Sequence, residues 1–78
     1  MADQQESVLQ ERGTVRAVER ALDVLLCFRT KDELGLTEIS KMIGLHKSTV
    51  HRLLATLETH GFVRREQTDR YRIGWSIL

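Results

Sequence analysis

The sequence predicts a mainly α-helical domain with a small β-hairpin, a winged helix-turn-helix of three helices and a two-stranded wing. A short helix and a longer one are separated by Gly44, which is the spacing of a helix-turn-helix. Arginine and apolar residues then alternate over residues 70–73, as in a half-buried hairpin strand. Residues 41–78 carry seven Lys/Arg against three Asp/Glu, whereas residues 1–40 carry five against eight, which favours a polyanion-binding face.

The bulk composition argues against several classes of protein. With 78 residues, the chain is long enough for one small domain. The single cysteine, Cys27, excludes a disulfide within the chain and fits a cytoplasmic protein, and no Cys/His group has metal-site spacing. No apolar run reaches the roughly 18 residues that cross a membrane. We expect neither an enzyme nor a cofactor, because no nucleophile has a paired base and no glycine loop could cradle a phosphate.

The N-terminal part of the chain divides into an arm and a helix. Residues 1–13 are polar and are predicted to form a flexible arm, with residues 14–74 as the domain. Thr14 is a candidate N-cap for a first helix that runs to about Arg29. Cys27 falls on the polar side of this helix by angle, which predicts an inert or partly exposed thiol. Apolar residues cover an arc of about 200°, wider than the roughly 100° that one core requires. The surplus is either a contact between two copies or surface under connecting segments, and the arc comprises Val15, Ala17, Val18, Ala21, Leu22, Val24, Leu25, Leu26 and Phe28.

The helix-turn-helix occupies the middle of the chain. Residues 34–36 predict at most a very short strand, and Thr37 is the candidate N-cap of a second helix from Glu38 to Ile43. Gly44 ends that helix, because a left-handed conformation costs glycine little. A third helix is predicted from about Lys47 to His60, where another glycine follows. Its predicted core face is a stripe of Val50, Leu53, Leu54 and Leu57.

The opposite face of the third helix is polar and almost free of acid, with Glu58 as its only carboxylate. A helix that merely faces solvent usually mixes Glu and Lys at i, i+4 spacing. Because a recognition helix presents its N-terminal half to base edges in the major groove, Arg52 is the candidate for guanine, and Thr49 and His51 for other bases. The candidates for contacts with the DNA backbone in this region are Thr37, Lys47 and Ser48.

Two short segments of strand character, residues 62–65 and 70–73, frame a turn at residues 66–69 and form the predicted wing. Four arginines on this ribbon fit contacts with phosphates or with a narrow minor groove. The alternative is a solvated sheet edge that is protected by charge. Tyr71 and Trp75 are expected to cover the core beneath the wing rather than to stack on bases. The four arginines are Arg64, Arg65, Arg70 and Arg72.

The helices, the turn and the wing, taken in their order along the chain, resemble the N-terminal domain of the isocitrate-lyase-regulator (IclR) family of bacterial transcription factors. The resemblance covers about residues 14–78, nearly the whole chain beyond the arm. No single motif decides it, but the ordered series is fairly specific. It is carried by LTEIS at 36–40, GLHKSTVHRLL at 44–54 and LETHGFV at 57–63, and residues 15–25 and 71–74 follow the same pattern.

The resemblance implies a transcriptional regulator, interpreted as a repressor, that binds palindromic double-stranded operator DNA as a homodimer or tetramer. It implies that Arg20 contacts the DNA backbone and that residues 75–78 begin a linker helix. A larger domain, absent from this chain, would then bind a small-molecule effector. The alternative function is a winged-helix module for protein–protein contacts. That alternative predicts an apolar or acidic outer face on the third helix and a neutral wing, and the sequence has neither.

Two residues depart from the family's pattern. His46 stands where proline usually precedes the recognition helix, so the start of that helix is expected to be less rigidly fixed. Its imidazole is a further candidate for a phosphate contact. Asp69 stands where the wing turn usually has glycine. Aspartate tolerates left-handed backbone better than most residues, so the turn type stays open.

Overall fold

The computed structural model describes residues 13–67 and 69–74. The predicted arm lies outside these residues except for Gly13, and so do the predicted linker start and Trp75. The winged helix-turn-helix fold is confirmed, with one addition, because a third strand joins the two strands of the wing. The elements are α1 (Arg16–Leu26) with a 3₁₀ turn (Cys27–Arg29), β1 (Leu34–Gly35), α2 (Leu36–Ile43), α3 (Lys47–Thr59), β2 (Val63–Arg65) and β3 (Arg70–Ile73).

The hydrophobic core lies between the three helices and the inner face of the sheet. Three of the four residues in the predicted stripe of α3 are buried, and Leu53 is half-buried beside them. In the described ranges, no helix is long and apolar enough to cross a membrane, and no group of His, Cys, Asp and Glu could hold a metal ion. The buried core residues are Val24, Cys27, Phe28, Leu34, Ile39, Val50, Leu54, Leu57, Val63 and Tyr71.

The first helix begins one residue later than predicted. Its N-cap is Val15, which has extended backbone (φ −108°, ψ 118°) and makes no side-chain cap hydrogen bond. The Glu19 N–H donates to the Val15 carbonyl at 3.0 Å, and α1 starts at Arg16. The prediction of Thr14 as the cap is therefore wrong, because the first helical hydrogen bond closes onto the β-branched Val15, which favours extended backbone.

The structure also corrects the position of Cys27. After Leu26 the chain tightens into the 3₁₀ turn, which advances about 120° per residue instead of about 100° and turns Cys27 and Phe28 toward the core. The Cys27 side chain is 6% exposed, and its Sγ donates to the Asp23 carbonyl at 3.3 Å. Burial raises the pKa of the Cys27 thiol, and the negative charge of Asp23 raises it further. The thiol is buried rather than on the polar side.

Four large apolar side chains of the predicted wide arc are exposed. Val15, Val18, Leu22 and Leu26 are 52–60% exposed, and the last three follow each other at i, i+4 spacing on one face. Within residues 13–67 and 69–74, no connecting segment covers them. We call Val18, Leu22 and Leu26 the apolar stripe of α1. Of the two explanations for the surplus apolar surface, a contact between copies stays a prediction.

The second helix begins two residues earlier than predicted, at Leu36 with Gly35 as its N-cap. The cause is Glu38, whose Oε1 accepts a hydrogen bond from the Gly35 N–H at 2.8 Å and fixes the start of the helix there. Thr37, the predicted cap, instead lies exposed in the first turn. Gly44 ends α2 in left-handed conformation (φ 68°), as predicted.

The third helix, Lys47–Thr59, starts where the sequence predicts and ends one residue before the predicted His60, which is its C-cap. The Gly61 N–H donates to the Glu58 carbonyl at 3.0 Å, and the Phe62 N–H donates to the Leu57 carbonyl at 2.8 Å. These two hydrogen bonds form a Schellman ending, which satisfies carbonyls that a helix end otherwise leaves free. The chain then turns directly into β2.

The sheet has the order β1-β3-β2, with both pairs antiparallel. Leu34 pairs with Tyr71 across β1 and β3, so the N-terminal half of the domain is tied to the wing. At the tip, the Glu66 N–H donates to the Arg70 carbonyl at 2.6 Å. Asp69 adopts the left-handed conformation (φ 59°) that aspartate tolerates, so it takes the role that glycine usually has in such turns.

Candidate nucleic-acid interface

The first two turns of α3 form a continuous exposed surface. Lys47, Ser48, His51 and Arg52 are exposed, and Thr49 is half-buried at its edge. All five candidates that the sequence predicts on this helix therefore lie on its accessible side. No carboxylate interrupts this surface until the end of the helix.

The start of α3 has proline-like backbone geometry although proline is absent. His46 is the N-cap and has φ −62° and ψ 148°, which is the backbone that proline would impose. The Val50 N–H donates to the His46 carbonyl at 3.0 Å, and the Ser40 hydroxyl of α2 donates to the Leu45 carbonyl in the turn. These hydrogen bonds lie on both sides of His46. The expectation of a less rigidly fixed helix start stays a prediction. Its imidazole makes no cap hydrogen bond and is exposed.

Two clefts border α3, one on each side. The first, which we call the wing cleft, lies between the start of α2, the His51 side of α3 and the wing. It brings together Thr37, His51 and Arg65, which the sequence predicts as DNA contacts but separates by 14 residues or more. The lining residues are Gly35, Leu36, Thr37, Glu38, His51, Arg65, Asp69, Arg70 and Tyr71.

The second cleft, the helix cleft, lies between α1 and the other side of α3. It places Arg20 of α1 beside Thr49 and Arg52 of α3, so a predicted backbone contact and two predicted base contacts share one concave surface. Its floor is apolar and includes Val18 and Leu22 of the apolar stripe of α1. The remaining lining residues are Ala17, Ala21, Leu25, Leu53, Thr56, Leu57 and Phe62.

The pairing of β2 with β3 sorts the wing arginines. Arg64 is opposite Arg72, so both lie on the outer face of the ribbon, whereas Arg65 is opposite Tyr71 on the inner face. Tyr71 is 4% exposed and belongs to the core, as predicted. Arg65 projects beyond the core at the end of the strand, where it reaches the wing cleft.

Arg70 and Arg72 are bound to carboxylates outside the hairpin, and Arg72 is also bound to Glu66 in the hairpin turn. Arg70 Nε lies 3.3 Å from Glu33 Oε1, and Arg70 Nη1 lies 3.2 Å from Glu38 Oε1. Arg72 Nη2 lies 3.5 Å from Glu33 Oε2, and its Nε lies 3.3 Å from Glu66 Oε2. Both arginine side chains are 37% exposed. These contacts attach the wing to the loop before β1 and to the start of α2.

Among the described residues, the ion pairs of Arg64 and Arg65 are with carboxylates of the hairpin itself. Arg64 Nε lies 2.9 Å from Glu66 Oε2, and Arg65 Nη2 is paired with Asp69 Oδ1. Their side chains are 56% and 51% exposed, more than those of Arg70 and Arg72. The hydrogen bond to Asp69 raises the pKa of the Arg65 guanidinium, which is charged at any physiological pH.

Glu38 links three elements. Besides the Gly35 N–H and Arg70, its carboxylate contacts Lys31 Nζ at 3.4 Å. The hydrogen bond from the Gly35 N–H is the largest effect and lowers the pKa of the Glu38 carboxyl. Desolvation, the second-largest effect, opposes it, and Lys31 and Arg70 lower the pKa further. Glu38 is therefore ionised at neutral pH and holds the start of α2 against the wing.

Residues 17–67, about two thirds of the chain, match the model of the IclR helix-turn-helix domain. The chain belongs to the IclR family. The matched domain is the helix-turn-helix DNA-binding domain of that family, and the similar proteins are transcriptional regulators. The matched range runs from the first turn of α1 to the tip of the wing. It includes every lining residue of the helix cleft, and those of the wing cleft except Asp69, Arg70 and Tyr71.

Similar proteins agree with this assignment. The chain is 42% identical over 66 residues to the HTH-type transcriptional regulator XynR of Escherichia coli K12. This alignment covers 82% of this chain and 26% of XynR. It is 38% identical over 66 residues to the HTH-type transcriptional regulator BhcR of Paracoccus denitrificans, which covers 83% of this chain and 24% of BhcR. The chain thus spans about a quarter of the length of these relatives.

A crystal structure of an IclR-family transcriptional regulator from Brucella abortus superposes with a TM-score of 0.81 at 40% identity. The superposition covers 87% of this chain and 27% of that one. The winged helix-turn-helix described above is therefore the fold of an IclR DNA-binding domain.

Sequence reasoning about this IclR domain missed the carboxylates that hold the wing arginines. Glu33 is 37 residues from Arg70 and 39 from Arg72, and it lies in a polar loop whose composition gives no sign of a partner. The pairing of Asp69 could have been predicted from the sequence, since a tight turn brings a carboxylate four residues after Arg65 back within reach of the Arg65 guanidinium. The four arginines are thus an ion-pair network as well as a basic surface.

Proposed function

We propose that this domain binds double-stranded DNA in a sequence-specific manner, with α3 in the major groove and the wing on the backbone or in the minor groove. One observation carries the proposal. The acid-free surface at the start of α3 lies between two clefts, and each cleft contributes an arginine from another element. Arg20 of α1 lies on one side of the helix, and Arg65 of the wing lies on the other. A helix flanked by cations fits a groove whose two edges are lines of phosphates.

In this arrangement α3 reads bases and its N-terminus holds phosphate. Arg52 is exposed on the outward side of the second turn and is the candidate for a bidentate contact with guanine. Thr49 and His51 flank it, one toward each cleft, and are candidates for neighbouring bases. The proposed backbone contacts are Arg20, Thr37, Lys47 and Ser48, each of which lies at the rim of this surface or at a helix N-terminus.

The ion pairs divide the four wing arginines into two pairs with different roles. Arg64 and Arg65 are the more exposed, and their acidic partners belong to the hairpin itself, so we propose that they contact phosphates. Arg70 and Arg72 are bound to Glu33 and hold the wing at its angle to α3, while they add to its positive charge.

Assembly, regulatory sign and control are further parts of the proposal. The apolar stripe of α1 supports a homodimer on a palindromic operator through its Leu26 end, because Leu26 is 53% exposed and lies outside the helix cleft that Val18 and Leu22 line. From the resemblance to the family we also propose tetramers, a repressor role by operator occupancy, and control by a small-molecule effector bound outside this domain. Sedimentation of the chain and of Leu26→Gln tests the self-association, which the substitution should weaken.

Selection of bound sequences from a random duplex pool tests base reading. With Arg52→Ala we expect preference at one base position to be lost, since one bidentate contact is worth about 1–3 kcal/mol of discrimination. Arg29→Ala is the matched control, because Arg29 is exposed and lines neither cleft. Equal loss of preference in both variants would show that Arg52 acts only through net charge.

A salt series on a mixed-sequence duplex tests the backbone contacts. The slope of log affinity against log salt should fall in magnitude by about 0.9 for each phosphate contact that is removed. Arg64→Gln and Arg65→Gln should each reduce it, whereas Arg29→Gln should not. A chain with no salt-dependent affinity for duplex DNA, but with a protein ligand, would favour the protein–protein module instead.

A further inference from the structure

The hydroxyl of Tyr71 has no hydrogen-bond partner among the residues that the structure describes, although the side chain is 96% buried. Buried hydroxyls normally have a partner, because a lost hydrogen bond to water is otherwise not replaced. A phenylalanine at this position would fill the same space in the core. The hydroxyl therefore requires an explanation that packing does not supply.

Tyr71 lines the wing cleft, which is the open space beside it within the described ranges. Only 4% of the residue is exposed, and Arg65, which lines the same cleft, is close enough for Tyr71 to act electrostatically on its guanidinium. The cleft separates the wing from the start of α2 and from His51 on α3. A group bound in it would touch all three parts of the proposed DNA-binding surface.

Other hydrogen-bond donors line the same cleft. The N-cap of α2 is Gly35, which has no side chain to accept hydrogen bonds from the amides of the first turn. These amides, together with the exposed Thr37, form the positive end of a helix dipole. Arg65 reaches the cleft from the wing, and His51 reaches it from α3.

The carboxylates in the cleft are already engaged. Asp69 is paired with Arg65, and Glu38 accepts from the Gly35 N–H and contacts Arg70. Two arginines and two carboxylates leave no formal net charge, so the cleft has little attraction for a free anion. The Arg65–Asp69 pair is exposed (51% and 74%), so Arg65 can exchange this carboxylate for a phosphate that a bound duplex brings close.

We propose that the wing cleft seats one phosphate of the DNA backbone, with the Tyr71 hydroxyl as a hydrogen-bond donor beside Arg65 and Thr37. The inference rests on the proposed function, because it adds a contact to the same interface. A neutral donor differs from the arginines in one measurable respect. It strengthens binding without releasing a counterion, so it leaves the salt dependence unchanged.

Tyr71→Phe in the full 78-residue chain tests the proposal with a fluorescent mixed-sequence duplex. We expect affinity to fall about tenfold, equivalent to about 1.4 kcal/mol, because the lost bond is to a charged acceptor. The salt slope should stay at the wild-type value. The urea midpoint of the free protein should be unchanged or higher, because the hydroxyl has no partner to lose in the described part of the fold.

A double-mutant cycle separates a shared phosphate from a general weakening. Tyr71→Phe combined with Arg65→Gln should be less than additive in binding free energy, because both groups hold the same phosphate. Combined with Arg64→Gln, on the opposite face of the ribbon, it should be additive. Arg64 and Arg65 are adjacent arginines, so the two cycles are matched in charge.

The outcomes are distinguishable. Unchanged affinity of Tyr71→Phe for the duplex would overturn the proposal and leave the hydroxyl as the site of a bound water. Equal coupling to Arg64 and Arg65, or a lowered urea midpoint that accounts for the affinity loss, would also overturn it. Failure of the wild-type chain to bind any duplex would instead contradict the proposed function. Inorganic phosphate alone should not compete with the duplex at matched ionic strength. Competition would overturn the proposal of a DNA phosphate, because it would indicate a site for a free anion.

Discussion

Replacing Gly74 with alanine should loosen the junction between the wing and the end of α3. Gly74 is buried, and its N–H donates to the Phe62 carbonyl at 2.9 Å. A Cβ at this position would overlap the Gly61 carbonyl oxygen and would lie 3.2 Å from the Gly61 carbonyl carbon and 3.4 Å from that of Phe62. All three are main-chain atoms, so no side chain can rotate away to make room.

The cost has two parts. Overpacking at a rigid contact typically destabilises by about 1–3 kcal/mol. The shift that relieves it also breaks the hydrogen bond to Phe62, which adds about 1 kcal/mol. We therefore expect Gly74→Ala to lower the free energy of unfolding by about 2–4 kcal/mol. Small domains have total stabilities near the lower end of about 5–15 kcal/mol, so this is a large fraction.

Gly44→Ala is the matched control. A Cβ added to Gly44 would meet no described atom within 4 Å, and only the φ of +68° opposes a side chain there. That strain is about 1 kcal/mol, so Gly44→Ala should be the milder change. Urea unfolding followed by circular dichroism measures both, with a constant m-value as the check on two-state behaviour. A cost for Gly74→Ala equal to or below that of Gly44→Ala would refute the steric reasoning.

Three further predictions concern other sites. Cys27 should react slowly with thiol reagents until urea unfolds the chain. Because folding raises the pKa of this thiol, the free energy of unfolding should be constant at lower pH. It should fall as pH rises above the ordinary thiol pKa of about 8.5, where only the unfolded thiol ionises. Glu38→Gln should lower the urea midpoint at neutral pH. Because the pKa of Glu38 is lowered by folding, that difference should shrink as pH falls through the folded-state value. Leu54→Ala should cost about 2–5 kcal/mol since Leu54 is fully buried, whereas Leu22→Ala on the exposed stripe should change stability by about 0.5 kcal/mol.

The sequence predicted the helices and the wing because their signals are local. The leucine stripe of α3 and the glycines at 44 and 61 fix its position within a residue. The start of α2 was misplaced because a cap can be supplied from within the helix. Glu38 holds Gly35 from three residues downstream, and that option competes with the better N-cap propensity of Thr37.

The candidate site was predicted as a set of residues but not as a shape. Helical angles place Thr49, His51 and Arg52 on one accessible side of α3, and the structure agrees. The two clefts depend on how α1 and the wing pack against α3, which is long-range information. The ion pairs of Glu33 likewise require β1 to lie beside β3, and a two-residue strand leaves almost no pattern in the sequence.

The pairing of β1 with β3 also has a consequence for how the chain folds. Each helix and the β2–β3 hairpin closes contacts between residues near in sequence, which form early. The ladder from Leu34 to Tyr71 instead closes a loop of more than thirty residues that contains α2 and α3. We expect this ladder to form last and to have low φ-values at Leu34. During synthesis, the helix-turn-helix would then leave the ribosome before β3, the partner strand of β1, has emerged.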